Sequence, residues 1–238
     1  MRNYFYITGT SSGLGKAIAE AALKDRSTTV FGFARRCTIT YENYIHNAID
    51  LSDLNAVKEI QFQQHPDAGK IILINNAGTG SDIKYLGELD PDKIISGYQV
   101  NTIAPHLLMN NFLSAYRLNN CEKIIINITS GAASNAYDGW SIYCATKAAI
   151  DMMSLVADKE QQIRNTGFKI FAIAPGVLDT PMQDQLRKTE AHNFSRISKF
   201  KDLKDSNQLA DPYLVAEKII AIVRNPAQLS GVIQRIQL

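Results

Sequence analysis

"YITGTSSGLGKAI", residues 6–18, joins an apolar run to a helical pattern through a glycine-rich turn. Its three glycines stand among small hydroxyl side chains. Strand, glycine turn and helix in that order let backbone amides and a helix N-terminus meet an anionic pyrophosphate. Gly9 would permit the tight turn, Gly13 a close approach of backbone to phosphate, and Gly15 the packing of helix against strand. Ser11 and Ser12 add hydroxyl donors. The plainer alternative is a glycine-rich turn that holds nothing, and the spacing G-x-x-x-G-x-G differs from the commoner G-x-G-x-x-G.

Outward from this turn, short apolar runs of the length of buried strands recur at 4–8, 29–34, 44–49, 70–75, 123–128, 168–174 and 230–236. Helical patterns fall at 13–25, 52–64 (Ser52 as cap, Pro66 as stop), 101–118, 143–164 and 211–224, the last with Asp211 at the N-cap and Pro212 following. Alternation of this kind predicts one α/β domain over residues 1–238, a doubly wound seven-stranded parallel sheet with helices on both faces. Residues 183–208 break the pattern, being polar and weakly periodic, and read as a mobile insertion over a site.

The composition is that of an ordinary globular domain, 45% hydrophobic and 20% charged over 238 residues. A net charge of +2 with both signs interspersed argues against nucleic-acid or membrane partners. Cys37, Cys121 and Cys144 are far apart, and His46, His65, His106 and His192 lack ligand spacing, so neither a disulfide framework nor a metal site is expected. No run approaches a membrane span and no leader pattern precedes Tyr4, so a cytoplasmic location is expected.

"TGTSSGLG" resembles the T-G-x-x-x-G-x-G element of the short-chain dehydrogenase/reductase family, and further elements of that family follow in order. They are "NNAG" at 75–78, "NITS" at 127–130, "YCATK" at 143–147 and "PGVLDTPM" at 175–182, with Ser130 thirteen residues before Tyr143. The resemblance covers nearly the whole chain. It implies a Rossmann-type fold and a nicotinamide cofactor held by Gly9, Ser11, Ser12, Gly13, Leu14 and Gly15. Asn76, Ala77 and Gly78 would shape the adenine and ribose pocket, and Pro175, Gly176, Val177, Thr180 and Met182 would close over the nicotinamide. Asp50, followed by Leu51, is similar to the family aspartate that binds the adenine amino group.

Tyr143 and Lys147 stand four apart at the start of a helix, so both leave the same face. A phenol is a poor acid-base group at neutral pH, and a nearby cation such as Lys147 would lower its pKa. An ordinary i,i+4 pair on a solvated helix is the competing reading; Ser130, at a neighbouring strand end, weighs against it. The resemblance implies hydride transfer to a carbonyl, with Tyr143 as general acid, Ser130 holding the carbonyl oxygen, and Lys147 also binding the nicotinamide ribose. Asn101, in "YQVNTIAP", matches a family asparagine in a proton relay to the lysine; by itself it reads as a helix N-cap.

After the second strand, "FARRCTITYE" places Arg35 and Arg36 where NAD-binding chains carry an acid, which favours the 2′-phosphate of NADP(H). Within the family, residues 127–153 and 175–182 look most like the sepiapterin reductase and bacterial benzil reductase branch. That implies a small carbonyl substrate flanked by a second carbonyl or an aromatic system. Tyr137, Trp140, Ile142 and Met182 could wall such a pocket or belong to the core or an interface. The family also implies a lid over 183–208 and a homodimer through helices 101–118 and 143–164. Two rival readings are a non-catalytic NADP(H) sensor and an alcohol dehydrogenase working in the oxidative direction.

Overall fold

The computed structural model describes residues 1–236. Seven strands form one wholly parallel sheet in the order β3-β2-β1-β4-β5-β6-β7. They are β1 Arg2–Thr8, β2 Thr28–Ala34, β3 Tyr44–Ala48, β4 Ala68–Asn75, β5 Glu122–Ile128, β6 Phe168–Ala174 and β7 Ile233–Arg235. The chain winds outward from β1 to β3, then returns to place β4 on the other side of β1. The crevice at that reversal, beyond the carboxyl ends of β1 and β4, is where open α/β sheets bind ligands.

Strand residues alternate between two apolar layers, as period-2 side-chain geometry requires. Phe5 and Ile7 pack with helices α1 (Gly13–Leu23) and α8 (Pro212–Arg224) through Ile18, Val215 and Ile219. Tyr4 and Tyr6 face the opposite layer, where α4 (Ala104–Tyr116) and α5 (Ser141–Ile163) contribute Leu108, Phe112, Tyr116 and Ala157. Both faces are covered, which is why the central strands read as unbroken apolar runs. No helix among the described residues is long and apolar enough to cross a membrane.

Several elements depart from the sequence expectations. The helix expected over 52–64 is only α2 (Leu54–Lys58), capped by Asp53, whose carboxylate accepts the Asn55 and Ala56 N–H groups. Beyond it, Phe62 is buried edge-on against Tyr6 and Phe112, and the Gln63 carbonyl accepts the Tyr116 hydroxyl at 2.5 Å. Tertiary aromatic contacts thus take the segment out of the helix that its periodicity favours. The helix expected to begin at 101 begins ten residues earlier, as α3 (Pro91–Tyr98) with Asp90 as N-cap. It runs through a π turn, Gln99–Ile103, into α4.

The segment expected to be an insertion over a site carries helices α6 (Pro181–Arg187) and α7 (Ile197–Asp205), which its weak periodicity did not announce. Leu186, Phe194, Ile197 and Phe200 are buried there. Four apolar side chains spread over a charged stretch give little periodic signal, yet suffice to dock it. β7 is three residues long, shorter than the run at 230–236.

Candidate active site

The glycine turn after β1 adopts the backbone its residues were expected to need. Gly9 and Gly13 have φ of +76° and +55°, in the left-handed region that favours glycine. A Cβ on Gly15 would lie 2.4 Å from the Gly9 carbonyl oxygen, so α1 reaches this loop only because that side chain is missing. Ser12 stands at the α1 N-cap without a side-chain capping bond, which leaves the first-turn amides free of side-chain capping. Leu14 is buried in the core.

The β4 end closes on the same turn. The Thr8 hydroxyl accepts the N–H groups of Asn76 and Ala77, each at 3.0 Å, and the Asn76 amide donates to the Thr8 carbonyl. The Asn76 side chain is therefore committed to the scaffold, and Thr8, the first residue of the glycine motif, is the side chain that joins the two loops. From β6, Thr180 reaches over: a Cβ on Gly13 would stand 3.3 Å from its methyl. Pro175 is buried, Gly176 is exposed at φ +86°, and the Val177 carbonyl accepts the Ala210 N–H at 2.9 Å, pinning the loop that leads to Met182.

At the end of β2, Arg35 and Arg36 are exposed. The Arg35 guanidinium lies 3.9 Å from Asp50, whose other oxygen accepts the Ser52 N–H and hydroxyl. Those bonds, chiefly the backbone one, hold the Asp50 carboxyl below its ordinary pKa. Leu51 beside it is buried. Ser52, expected to cap α2, is thus tied to Asp50 instead.

The chemically capable side chains converge at the end of β5. Ser130 caps a short 3-10 turn, its hydroxyl accepting the Ala132 N–H at 3.2 Å. Tyr143 and Lys147, on consecutive turns of α5, are 9% and 5% exposed. The Lys147 ammonium donates to the Ile128 carbonyl at 2.7 Å and lies 5.7 Å from the Tyr143 ring centre. Burial lowers its pKa to about 8, with Asp151 one turn further on opposing the fall.

Tyr143 departs from expectation. Its pKa is raised, because burial outweighs the lowering that hydrogen bonding to Ser130 supplies, and Lys147 is not what governs it. The phenol sits under an aromatic cover, its ring 4.7 Å from that of Trp140, so desolvation of the phenolate dominates. The group is held protonated, as a proton donor must be.

Asn101 is not an N-cap. It lies inside the π turn, where its side chain accepts the Thr79 N–H at 2.8 Å and donates to the Thr79 carbonyl at 2.9 Å. It thereby fixes the strip from Gly78 to Gly80 opposite Lys147; a Cβ on Gly78 would stand 3.4 Å from the Asn101 amide oxygen and 3.8 Å from the ammonium. Short π segments are frequent at functional sites. Beneath lies a buried polar chain that residue-type reasoning passed over. Asn75 donates to Asn127, Asn127 to Ser154 and Ser154 to the Ile150 carbonyl, each at 2.8 Å, locking β4 and β5 to α5.

Of the four apolar wall candidates, Tyr137, Trp140 and Met182 gather with Tyr143 and the α6–α7 segment in one cluster. Ile142 does not; it packs on α3, where a Cβ on Gly97 would come within 2.7 Å of its methyl.

The short chain dehydrogenase family model matches residues 3–191. Benzil reductase ((S)-benzoin forming) from Bacillus cereus is 35% identical over 98% of both chains. Sepiapterin reductase from Bos taurus is 31% identical over 68% of this chain and 60% of its own length. A short-chain dehydrogenase/reductase crystal structure from Saccharomyces cerevisiae superposes with a TM-score of 0.85 over 99% of this chain and 96% of that one, at 22% identity. The motifs, the strand order and these matches agree: the chain belongs to the short chain dehydrogenase family.

Proposed function

We propose that the protein is an NADPH-dependent carbonyl reductase that transfers hydride to a ketone or vicinal diketone, with Tyr143 as general acid. The observation that carries the reading is the convergence of Ser130, Tyr143 and Lys147 beyond β5, with the Lys147 ammonium beside Gly78 at the end of β4. The likeness to the Bacillus cereus benzil reductase supports the substrate class.

The residues fit a dinucleotide. The two left-handed glycines and the uncapped start of α1 offer backbone donors to a pyrophosphate. Arg35 and Arg36 stand exposed at the end of β2, where a 2′-phosphate would be met, and Asp50 is the carboxylate nearest Arg35. When bound, the reduced nicotinamide supplies the hydride. Ser130 donates to the carbonyl oxygen and orients it, and Tyr143 hands its proton to the alkoxide as charge develops there. Lys147, buried and charged at neutral pH, stabilises the phenolate that remains and reaches the ribose side near Gly78. The sensor reading leaves this buried phenol–ammonium pair without a task.

The α6–α7 segment serves as the lid that excludes water. A homodimer forms through the helices at 101–118 and 143–164, along which Ile103, Met152, Leu155 and Val156 are exposed. The reductase reading is tested by following NADPH and NADH consumption with benzil in parallel. Turnover with a strong preference for NADPH supports it; binding of NADPH without turnover of benzil or any other ketone or diketone overturns it in favour of the sensor.

A further inference from the structure

Trp140 is the chain's only tryptophan and is 8% exposed, its ring tilted against Tyr143 and Phe194 and edge-on to Phe200 at ring separations of 4.7, 5.3 and 6.0 Å. Its Nε1–H is buried and has no hydrogen-bond partner among the described residues. A buried donor left unpaired costs about 1–3 kcal/mol, and buried indoles ordinarily find an acceptor. Here the side chains that pack around it, Ala132, Leu186, Phe194, Ile197 and Phe200, carry none. The phenols of Tyr137 and Tyr143 and the weakly accepting sulfurs of Cys144 and Met182 are the other polar side-chain atoms of the cluster, and none of them accepts the indole N–H. A polar group kept in so apolar a cover, in ring contact with the proton donor, calls for an acceptor on a ligand.

We infer that the Trp140 Nε1–H is a specificity-determining donor, binding a second oxygen carried on the carbon next to the reacting carbonyl. The inference rests on the reductase reading and narrows it. Two donors on touching rings, the Tyr143 hydroxyl and the indole, then serve the two oxygens of one small 1,2-dicarbonyl. A monoketone of the same shape leaves the indole unpaired and forfeits that bond. A site built around a buried donor discriminates by such a penalty far better than by apolar contact.

The test compares benzil with deoxybenzoin, which replaces the second carbonyl by a methylene, in the wild type and in Trp140→Phe. The variant keeps an aromatic ring and removes the N–H. The ratio of kcat/KM for benzil over deoxybenzoin is expected to fall about tenfold, the effect of one lost hydrogen bond. A ratio unchanged within about twofold, with both ketones still reduced, overturns the inference and leaves the reductase standing. Reduction of neither ketone by the wild type overturns the reductase reading and this inference with it. Should Trp140→Phe not fold, the single indole allows a direct measurement on the wild type. Its N–H band in ultraviolet resonance Raman is expected to shift when benzil joins the NADP⁺ complex and to stay in place with deoxybenzoin, and no shift with benzil overturns the proposal.

Discussion

Asp138 holds Ser195 twice, accepting its backbone N–H at 2.7 Å and its hydroxyl at 2.9 Å. Tyr85 donates to the same carboxylate at 3.1 Å, so one side chain joins the loop after β4, the approach to α5 and the segment leading to α7. The Ser195 N–H is the chief reason the Asp138 carboxyl stays below its ordinary pKa. One residue on, the backbone of Gly139 passes so close to Asn193 that a Cβ would stand 2.0 Å from the Asn193 carbonyl oxygen.

These contacts fasten the α6–α7 segment over Tyr143. Asp138→Ala is expected to speed amide exchange across 189–200 and raise KM for the ketone, while costing only about 1 kcal/mol of global stability because the residue is half-buried and its bonds are local to the segment. Gly139→Ala should act the same way through its clash. Exchange rates identical to wild type in both variants would show that the segment is held by its apolar side chains alone.

The glycine turn gives a second prediction. In Gly15→Ala the new methyl would meet the Gly9 carbonyl oxygen at 2.4 Å and the Asn76 amide at 2.3 Å, neither of which can withdraw without breaking the Thr8–Asn76 bond. Overpacking of this kind costs about 1–3 kcal/mol. Chemical denaturation should show that loss, and NADPH titration a weakened cofactor site. A fully stable variant with unaltered affinity would mean that the packing is looser than described.

In the proposed function, cofactor choice turns on Arg35. Its pairing with Asp50 at 3.9 Å is exposed and worth little, so Arg35→Ala should leave the melting temperature unchanged. Removing a charge-assisted partner of the 2′-phosphate should weaken NADPH about tenfold or more and leave NADH nearly untouched. Binding titrations with both nucleotides check this, and equal losses would remove Arg35 from the phosphate site.

Lys147 predicts a pH dependence of stability. Its pKa falls from the ordinary 10.5 to about 8 in the folded chain, so between those values the unfolded chain holds a proton that the folded one has released. Stability contributed by this group therefore rises as pH climbs through that window, by about 3 kcal/mol in all. The stability of the wild type relative to Lys147→Met should increase by that order from pH 8 upward; a difference that stays flat would place the ammonium in a better solvated setting.

Much of this is legible in the chain because the central strands of the doubly wound sheet are buried on both faces and so written as apolar runs. The glycines, Ser130, Tyr143 and Lys147 could be placed because their spacing is tied to strand ends and helix turns. What escaped reading depends on distant partners. Phe62 leaves its helix for Tyr6 and Phe112, and the Asn75–Asn127–Ser154 chain acts through bonds between residues far apart in sequence. The raised pKa of Tyr143 depends on the Trp140 ring three residues before it, which itself packs against Phe194, more than 50 positions downstream.

The central claim is that Tyr143 delivers the proton. The most direct measurement is NADPH oxidation by benzil with wild type and Tyr143→Phe, alongside NADPH binding to both. The account predicts that the variant binds NADPH normally and loses at least about a hundredfold in kcat, the lower range for a general acid. A variant that binds NADPH and still turns benzil over at the wild-type rate would contradict it.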